Sequence, residues 1–276
     1  MSIHRYFYSG LFFLTLLHGA ASAQTPDADK SAVWQKVRSS FFNNQAIASN
    51  QGVLELEAPA RAEDAAIVPI AIRAQLAQTP EHYISKIWLV IDDNPSPIAA
   101  VFQFTPESGK ADIETRVRVE QYTFIRAIAQ TNDGALFMAT RYVKASGGCS
   151  APAGKDAAAA LANLGRTRFQ VAGAVTEDHP VLAQFMISHP NSSGLAMDQV
   201  TRLYEPAYYV RKFTVTYAGK IVMTADVDFS ISENPNFRFY FIPRAGGGEL
   251  KAEVIDTKDL KYESRVHITT TPVGAG

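Results

Sequence analysis

Cys149 is the sole cysteine in 276 residues. It cannot close an intramolecular disulfide and must be inert, metal-bound or reactive. It follows Gly147-Gly148 and precedes Ser150-Ala151-Pro152, without the apolar neighbours that surround a structural cysteine in a strand. This setting predicts an exposed, mobile thiol, either reactive or simply an unpaired cysteine in a loop, with Gly147, Gly148 and Ser150 as its arm. A thiolate can attack a sulfane or disulfide sulfur, and the persulfide formed can later be displaced. The other chemistry-bearing residue types form no constellation: there is no Gly-rich phosphate loop, no histidine pair at helical metal spacing and no serine-nucleophile elbow. His82, His179, His189 and His267 are scattered, which predicts no metal site. Asp92-Asp93 and Glu63-Asp64 read as solvated acidic turns, and Phe237, Phe239 and Phe241 as the core face of a strand rather than a ligand platform. No catalytic residue and no cofactor is assigned.

The elements that must position Cys149 begin after an export signal. Arg5, the apolar stretch Leu11 to Leu17 and the small residues Ala21-Ser22-Ala23 form a signal peptide over residues 1–23, predicting cleavage after Ala23 and a periplasmic protein beginning at Gln24. The apolar stretch is far short of the roughly 20 residues that span a bilayer, so no membrane insertion is expected. A chain that is 47% hydrophobic and 19% charged is too apolar to be disordered and not apolar enough to be a bundle of membrane spans. Lys and Arg total 26 against 27 Asp and Glu, a formal charge of −1; a balance so near zero holds no phosphate backbone and excludes nucleic acid as a partner. The length suits two domains of ordinary size.

Ser31 can cap a short helix with Val33, Trp34, Val37 and Phe41 on one face. The hydrophobic period then changes to two. Ile113, Thr115, Val117 and Val119 alternate with Glu114, Arg116, Arg118 and Glu120, as in a strand with one buried and one wet face. Similar runs cover 53–57, 67–74, 84–91, 98–105, 123–130 and 136–143, separated by turn residues such as Asp93-Asn94-Pro95 and Asn132-Asp133-Gly134. From Lys144 to Gly165 the texture turns Gly- and Ala-rich, with an alanine run, Ala157 to Ala160, that Asp156 could cap as a helix. Strand patterning returns at 181–187, 208–217, 221–229, 237–242, 250–255 and 262–269, two of these joined by a hairpin at Ala218-Gly219-Lys220. The expected fold is all-β: two antiparallel β-sandwiches joined by a flexible, partly helical linker.

Leu56-Glu57-Ala58-Pro59-Ala60-Arg61-Ala62-Glu63-Asp64 with Val68-Pro69-Ile70, Phe104-Thr105-Pro106, Thr115-Arg116-Val117-Arg118, and Lys144-Ala145-Ser146-Gly147-Gly148-Cys149 resemble the SoxY subunit of the periplasmic sulfur-oxidising carrier. Ser188-His189-Pro190 with Gly194, then Ile231-Ser232-Glu233-Asn234-Pro235 with Phe237-Arg238-Phe239, resemble the SoxZ subunit. Their order along one chain is similar to a fused SoxYZ-like carrier of the type associated with quinoprotein (PQQ) dehydrogenases. The resemblance implies that both sandwiches are immunoglobulin-like: a SoxY-like one with the N-terminal helix over 24–143, a Gly/Ala-rich linker carrying Cys149 over 144–165, and a SoxZ-like one over 166–276, the two packed on each other. It also implies that Cys149 holds a sulfur or related intermediate for partner enzymes, and that those partners are periplasmic redox enzymes, a quinoprotein dehydrogenase or a cytochrome.

Two departures from the family pattern bear on function. The Gly-Gly-Cys arm is internal rather than terminal, so a loop from Lys144 to Asp156 lifts its tip at most about 20 Å at roughly 3.3 Å per residue. Asn191-Ser192-Ser193 replaces the Met-Glu-Thr usual after His-Pro in SoxZ. Three functions stay open on the residues: a covalent carrier that is not an enzyme, a non-covalent scaffold for a quinoprotein dehydrogenase in which the thiol is incidental, and a thiol enzyme lacking an evident base.

Overall fold

A computed structural model of the chain describes residues 26–50, 52–151, 162–198 and 201–271. The proposed signal peptide and the alanine run Ala157 to Ala160 lie outside the described residues.

Helix α1 (Ala32–Phe42) begins where the Ser31 Oγ accepts a hydrogen bond from the Trp34 N–H at 3.1 Å and ends at Asn43 in the left-handed region. It lays Trp34, Val37 and Phe42 on Val90, Ile128 and Leu136. Phe41, expected on that face, is exposed, and Phe42 takes its place one position along.

The first half then contributes β1 (Ile47–Ser49), β2 (Leu54–Glu57), β3 (Val68–Ala74), β4 (Ile84–Ile91), β5 (Ile98–Phe104), β6 (Ile113–Val117), β7 (Thr123–Thr131) and β8 (Leu136–Val143). The second contributes β9 (Thr167–Val171), β10 (Val181–Ile187), β11 (Val210–Tyr217), β12 (Lys220–Val227), β13 (Asn236–Phe241), β14 (Gly248–Asp256) and β15 (Lys261–Ile268). All the strand runs expected from the alternation are present. β1 and β9 are additional: β1 has only three residues and pairs in parallel with β8, and β9 is a half-exposed edge strand beside β10.

The two immunoglobulin-like halves do more than pack. Strands from both are continuous in each of two sheets, ordered β1-β8-β7-β4-β5-β12-β11-β14-β15 and β2-β3-β6-β13-β10-β9. The joints are antiparallel: β5 with β12, from Ala100 opposite Val227 to Phe104 opposite Met223, and β6 with β13, Ile113 opposite Phe239 and Glu114 opposite Arg238. Pairing at both joints satisfies backbone groups that two separate sandwiches would leave on open edges. One hydrophobic core runs through both halves, and Phe102 meets Phe237 across the joint at 6.5 Å. Phe237, Phe239 and Phe241 all point into this core. The Glu114 carboxylate ties the joint on the outside, accepting from Arg73 at 2.6 Å and Arg238 at 2.5 Å.

Two polar expectations are corrected. Asp92 is not a solvated turn residue: it is buried and paired with the buried Arg126 at 2.7 and 2.9 Å, because a guanidinium inside β7 requires an opposite charge beside it. Arg118, expected on a wet face, is 3% exposed. It lies just past the end of β6, where the second half covers it.

Candidate functional site

Cys149 is fully buried, not exposed on a free arm. The reason is that the Gly-Gly segment is bonded to the backbone that follows β6. Gly147 N–H donates to the Glu120 carbonyl at 2.8 Å and Gly148 N–H to the Val119 carbonyl at 3.0 Å. The approach is closer than any side chain allows: a Cβ on Gly148 would stand 2.1 Å from the Ala65 carbonyl oxygen and 2.8 Å from the Val119 nitrogen. Gly147 has φ +81°, a left-handed conformation suited to glycine. The glycines thus serve close packing and a turn, not only freedom to swing.

The turn is then capped by one carboxylate. Glu120 Oε2 accepts from the N–H of Cys149 at 2.8 Å and of Ser150 at 3.1 Å, while Oε1 accepts from the Ser150 hydroxyl at 3.0 Å. Ser150 is therefore part of the anchor.

The second half closes the site. Ser193 donates its hydroxyl to the Cys149 carbonyl at 2.5 Å. Arg118 bridges the halves, Nη1 donating to the Gly148 carbonyl and Nη2 to the Asn191 carbonyl, each at 3.3 Å, while its buried Nε has no partner among the described residues. Asn191 is held in turn by Val210 N–H at 2.9 Å on its side-chain oxygen and by its own donation to the Ile231 carbonyl at 2.7 Å. The segment singled out in the sequence as a departure from SoxZ, Asn191-Ser192-Ser193, is the one seated over the cysteine.

Burial pushes the Cys149 thiol up to about 12; Glu120 raises it further and Arg118 opposes both. In this closed arrangement the sulfur is a neutral thiol at any physiological pH. Burial also holds the Arg118 guanidinium below its ordinary value.

Behind the loop lies a polar cluster. His189 Nδ1 accepts from the Asn191 N–H at 3.1 Å, and its Nε2 stands 3.6 Å from Asp256 Oδ2. Asp256 accepts from the Tyr208 hydroxyl at 2.8 Å and the Tyr262 hydroxyl at 3.3 Å. Burial lowers the imidazole to about 4 despite the neighbouring carboxylate, so His189 is the neutral acceptor that shapes the loop. Among the described residues no hydrogen bond or ion pair joins it to Cys149. His82, His179 and His267 are not brought to Cys149 by any hydrogen bond or ion pair among the described residues. Glu120, Arg118, Asn191 and Ser193 were not assigned to the site from the sequence. Arg118 and Glu120 were visible only as alternation partners, and Asn191 and Ser193 only as a departure.

Residues 38–149 match the family model of the sulfur oxidation protein SoxY, and residues 169–267 that of the sulphur oxidation protein SoxZ. Among solved structures, the chain is similar to the sulfur carrier protein SoxY from Chlorobium limicola f thiosulfatophilum at 22% identity, covering 41% of this chain and 91% of that one with a TM-score of 0.35. It is similar also to a superoxide reductase (neelaredoxin) from Ignicoccus hospitalis at 16% identity, covering 36% and 94% with a TM-score of 0.32. A red sea bream transglutaminase aligns at 12% identity over 86% of this chain and 33% of its own, with a TM-score of 0.23. No curated protein matches. The two family matches follow one another along a single polypeptide, so the chain joins a SoxY domain to a SoxZ domain.

Proposed function

We propose that this protein is a periplasmic carrier, not a catalyst, that holds a sulfur intermediate covalently on Cys149 and presents it to partner redox enzymes. The observation that supports this most is the coincidence of the lone thiol with the last residue of the SoxY match, Cys149, on a backbone seat that tolerates only glycine at position 148. In loading, the turn must first open to expose Cys149, whose thiol then gives its proton to solvent or the partner, and the thiolate attacks the sulfane sulfur of a donor. A new S–S bond forms, the donor's S–S bond breaks, and the leaving group departs with the electron pair. Export to the periplasm rests on the signal peptide of residues 1–23. A quinoprotein (PQQ) dehydrogenase or a cytochrome as partner rests on the resemblance described above.

The experiment is the intact mass of protein purified from its native periplasm. The expected result is a sulfur-containing adduct on the wild type, lost on reduction and absent from Cys149→Ser. Complete burial of the sulfur favours a second reading, a non-covalent scaffold in which the thiol only packs. An unmodified wild-type thiol, together with normal respiration in cells holding only the serine form, establishes that reading instead.

A further inference from the structure

We propose that Arg118 is the counter-cation of the Cys149 thiolate: a guanidinium kept unpaired inside the protein that eases ionisation of the sulfur once the turn opens. The inference rests on the carrier reading for its purpose, because loading needs the thiolate. Its test uses iodoacetamide on the purified full chain, so it reads out whether or not the protein carries sulfur in the cell.

The contrast with Arg126 leads here. Both guanidiniums are inside the protein, Arg126 completely and Arg118 nearly so. Arg126 is neutralised by Asp92 through two hydrogen bonds, at 2.9 and 2.7 Å. Among the described residues Arg118 has no such carboxylate. Its Nη groups reach only the carbonyls of Gly148 and Asn191, each at 3.3 Å, and its buried Nε has no partner. A buried charge left without its opposite is costly. The groups whose charge acts on this guanidinium are Cys149 first, then Glu233 and Asp64. The ionised sulfur is therefore the partner that Arg118 lacks.

The guanidinium also stays in place when the turn opens. The Arg118 N–H donates to the Ser230 carbonyl at 2.7 Å, and the Arg118 carbonyl accepts from Asn94 Nδ2 at 2.8 Å. Gly148, whose carbonyl receives Nη1, is fixed by its bond to Val119 and its close approach to Ala65. Cys149 and Ser150 are held instead by the Glu120 carboxylate and the Ser193 hydroxyl, which side-chain rotation releases. The turn therefore peels away after Gly148, and the sulfur gains water and leaves Glu120 while Arg118 remains bound to the neighbouring residue. Burial and Glu120, the two largest influences raising the shut thiol, are removed together; Arg118, which lowers it, persists, and Asp228 opposes it least. Ionisation adds no atom and oxidises nothing: the S–H proton goes to solvent or to the partner, and Arg118 keeps its own.

The test is the pH profile of native alkylation by iodoacetamide. The thiolate attacks the methylene carbon, a C–S bond forms, the C–I bond breaks, and iodide leaves with the electron pair. Only the opened chain reacts, so the plateau rate reports how often the turn opens, and the inflection reports ionisation of the opened thiol. A purely structural role for Arg118 moves the plateau alone. The wild-type inflection should fall about one pH unit below the ordinary 9.0, as a nearby cation dictates, giving about tenfold more thiolate at neutral pH. Arg118→Gln should return the inflection upward by about one pH unit, and Arg118→Lys, which keeps the charge, should preserve most of the wild-type value. An inflection that Arg118→Gln leaves unmoved would overturn the assignment, even if the plateau rises. Should Arg118→Gln fail to fold, the wild type alone decides: an inflection about one pH unit below that of the urea-unfolded chain supports the counter-cation, and an equal one overturns it.

Discussion

At the scale of residues, burial keeps both the Cys149 thiol and the His189 imidazole neutral. A cysteine in an open loop would accept serine with a change of no more than about 0.5 kcal/mol. Cys149 is fully buried and its sulfur has no hydrogen-bond partner among the described residues, so the more polar hydroxyl of Cys149→Ser should cost about 1–3 kcal/mol, read from chemical denaturation. Native labelling at neutral pH should be slower than labelling of the unfolded chain by orders of magnitude, because the shut thiol, at about 12, is almost wholly protonated. Labelling equally fast before and after denaturation would contradict the closed seat. His189 makes a separate prediction. Its folded value, about 4, lies below the ordinary 6.5, so the unfolded chain binds the extra proton first. Stability is therefore full above pH 6.5 and falls as the pH drops towards 4, by up to about 3 kcal/mol from this group. His189→Gln should flatten the slope of stability against pH across that window. An unchanged slope would show that other groups carry it. Neither burial was legible in the sequence, since the groups that close over the Cys149 turn, Arg118, Glu120 and Ser193, come from distant parts of the chain, and His189 reads as an ordinary residue before a proline.

At the scale of elements, period-two alternation disclosed the strands because most have one face in the core, as in Phe237, Phe239 and Phe241 of β13. β1 and β9 escaped for a physical reason: a three-residue strand has too few positions to show a period, and β9 places Thr167, Phe169 and Val171 on a half-covered edge. The Gly147-Gly148 segment was misread because glycine signals both freedom and close approach, and its hydrogen bonds to Val119 and Glu120 resolve it as close approach at position 148. A direct test follows from the two glycines differing in what surrounds them. Gly148→Ala drives a Cβ into the backbone at Ala65 and Val119, which cannot rotate away, and should destabilise by about 1–3 kcal/mol while freeing the thiol for labelling. Gly147→Ala meets open space beyond Ser150 and is penalised only by its positive φ, about 1–2 kcal/mol, with the thiol staying protected. Faster labelling in Gly147→Ala than in Gly148→Ala would refute a seat built on close approach at 148.

At the scale of the whole molecule, the sequence pointed to two sandwiches but not to how they join. Pairing of β5 with β12 sets residues such as Val101 and Asp226 opposite one another, a separation no local pattern encodes, and each strand's own alternation is satisfied whether its edge faces water or another strand. The joint has consequences for cohesion. Separating the halves would open two lines of strand hydrogen bonds and expose core residues on both sides, Phe102 and Phe237 among them, so the covalent connection between Ala151 and Ala162 should contribute effective concentration more than attachment. A protease site placed between Pro152 and Leu161, cut under native conditions, should leave fragments 24 to about 155 and about 156 to 276 eluting together from gel filtration at micromolar concentration. The bonds that close the Cys149 turn should also survive the cut, because they run between Ser193 or Arg118 and the turn and not through the linker. Unfolding of the intact chain should be a single transition, whereas that of the cut protein should shift its midpoint with protein concentration, as for any dissociating pair. Fragments that part at micromolar concentration, or an intact chain that unfolds in two steps, would mean that the sheets are not continuous across the joint and that the SoxZ half cannot hold Cys149 shut.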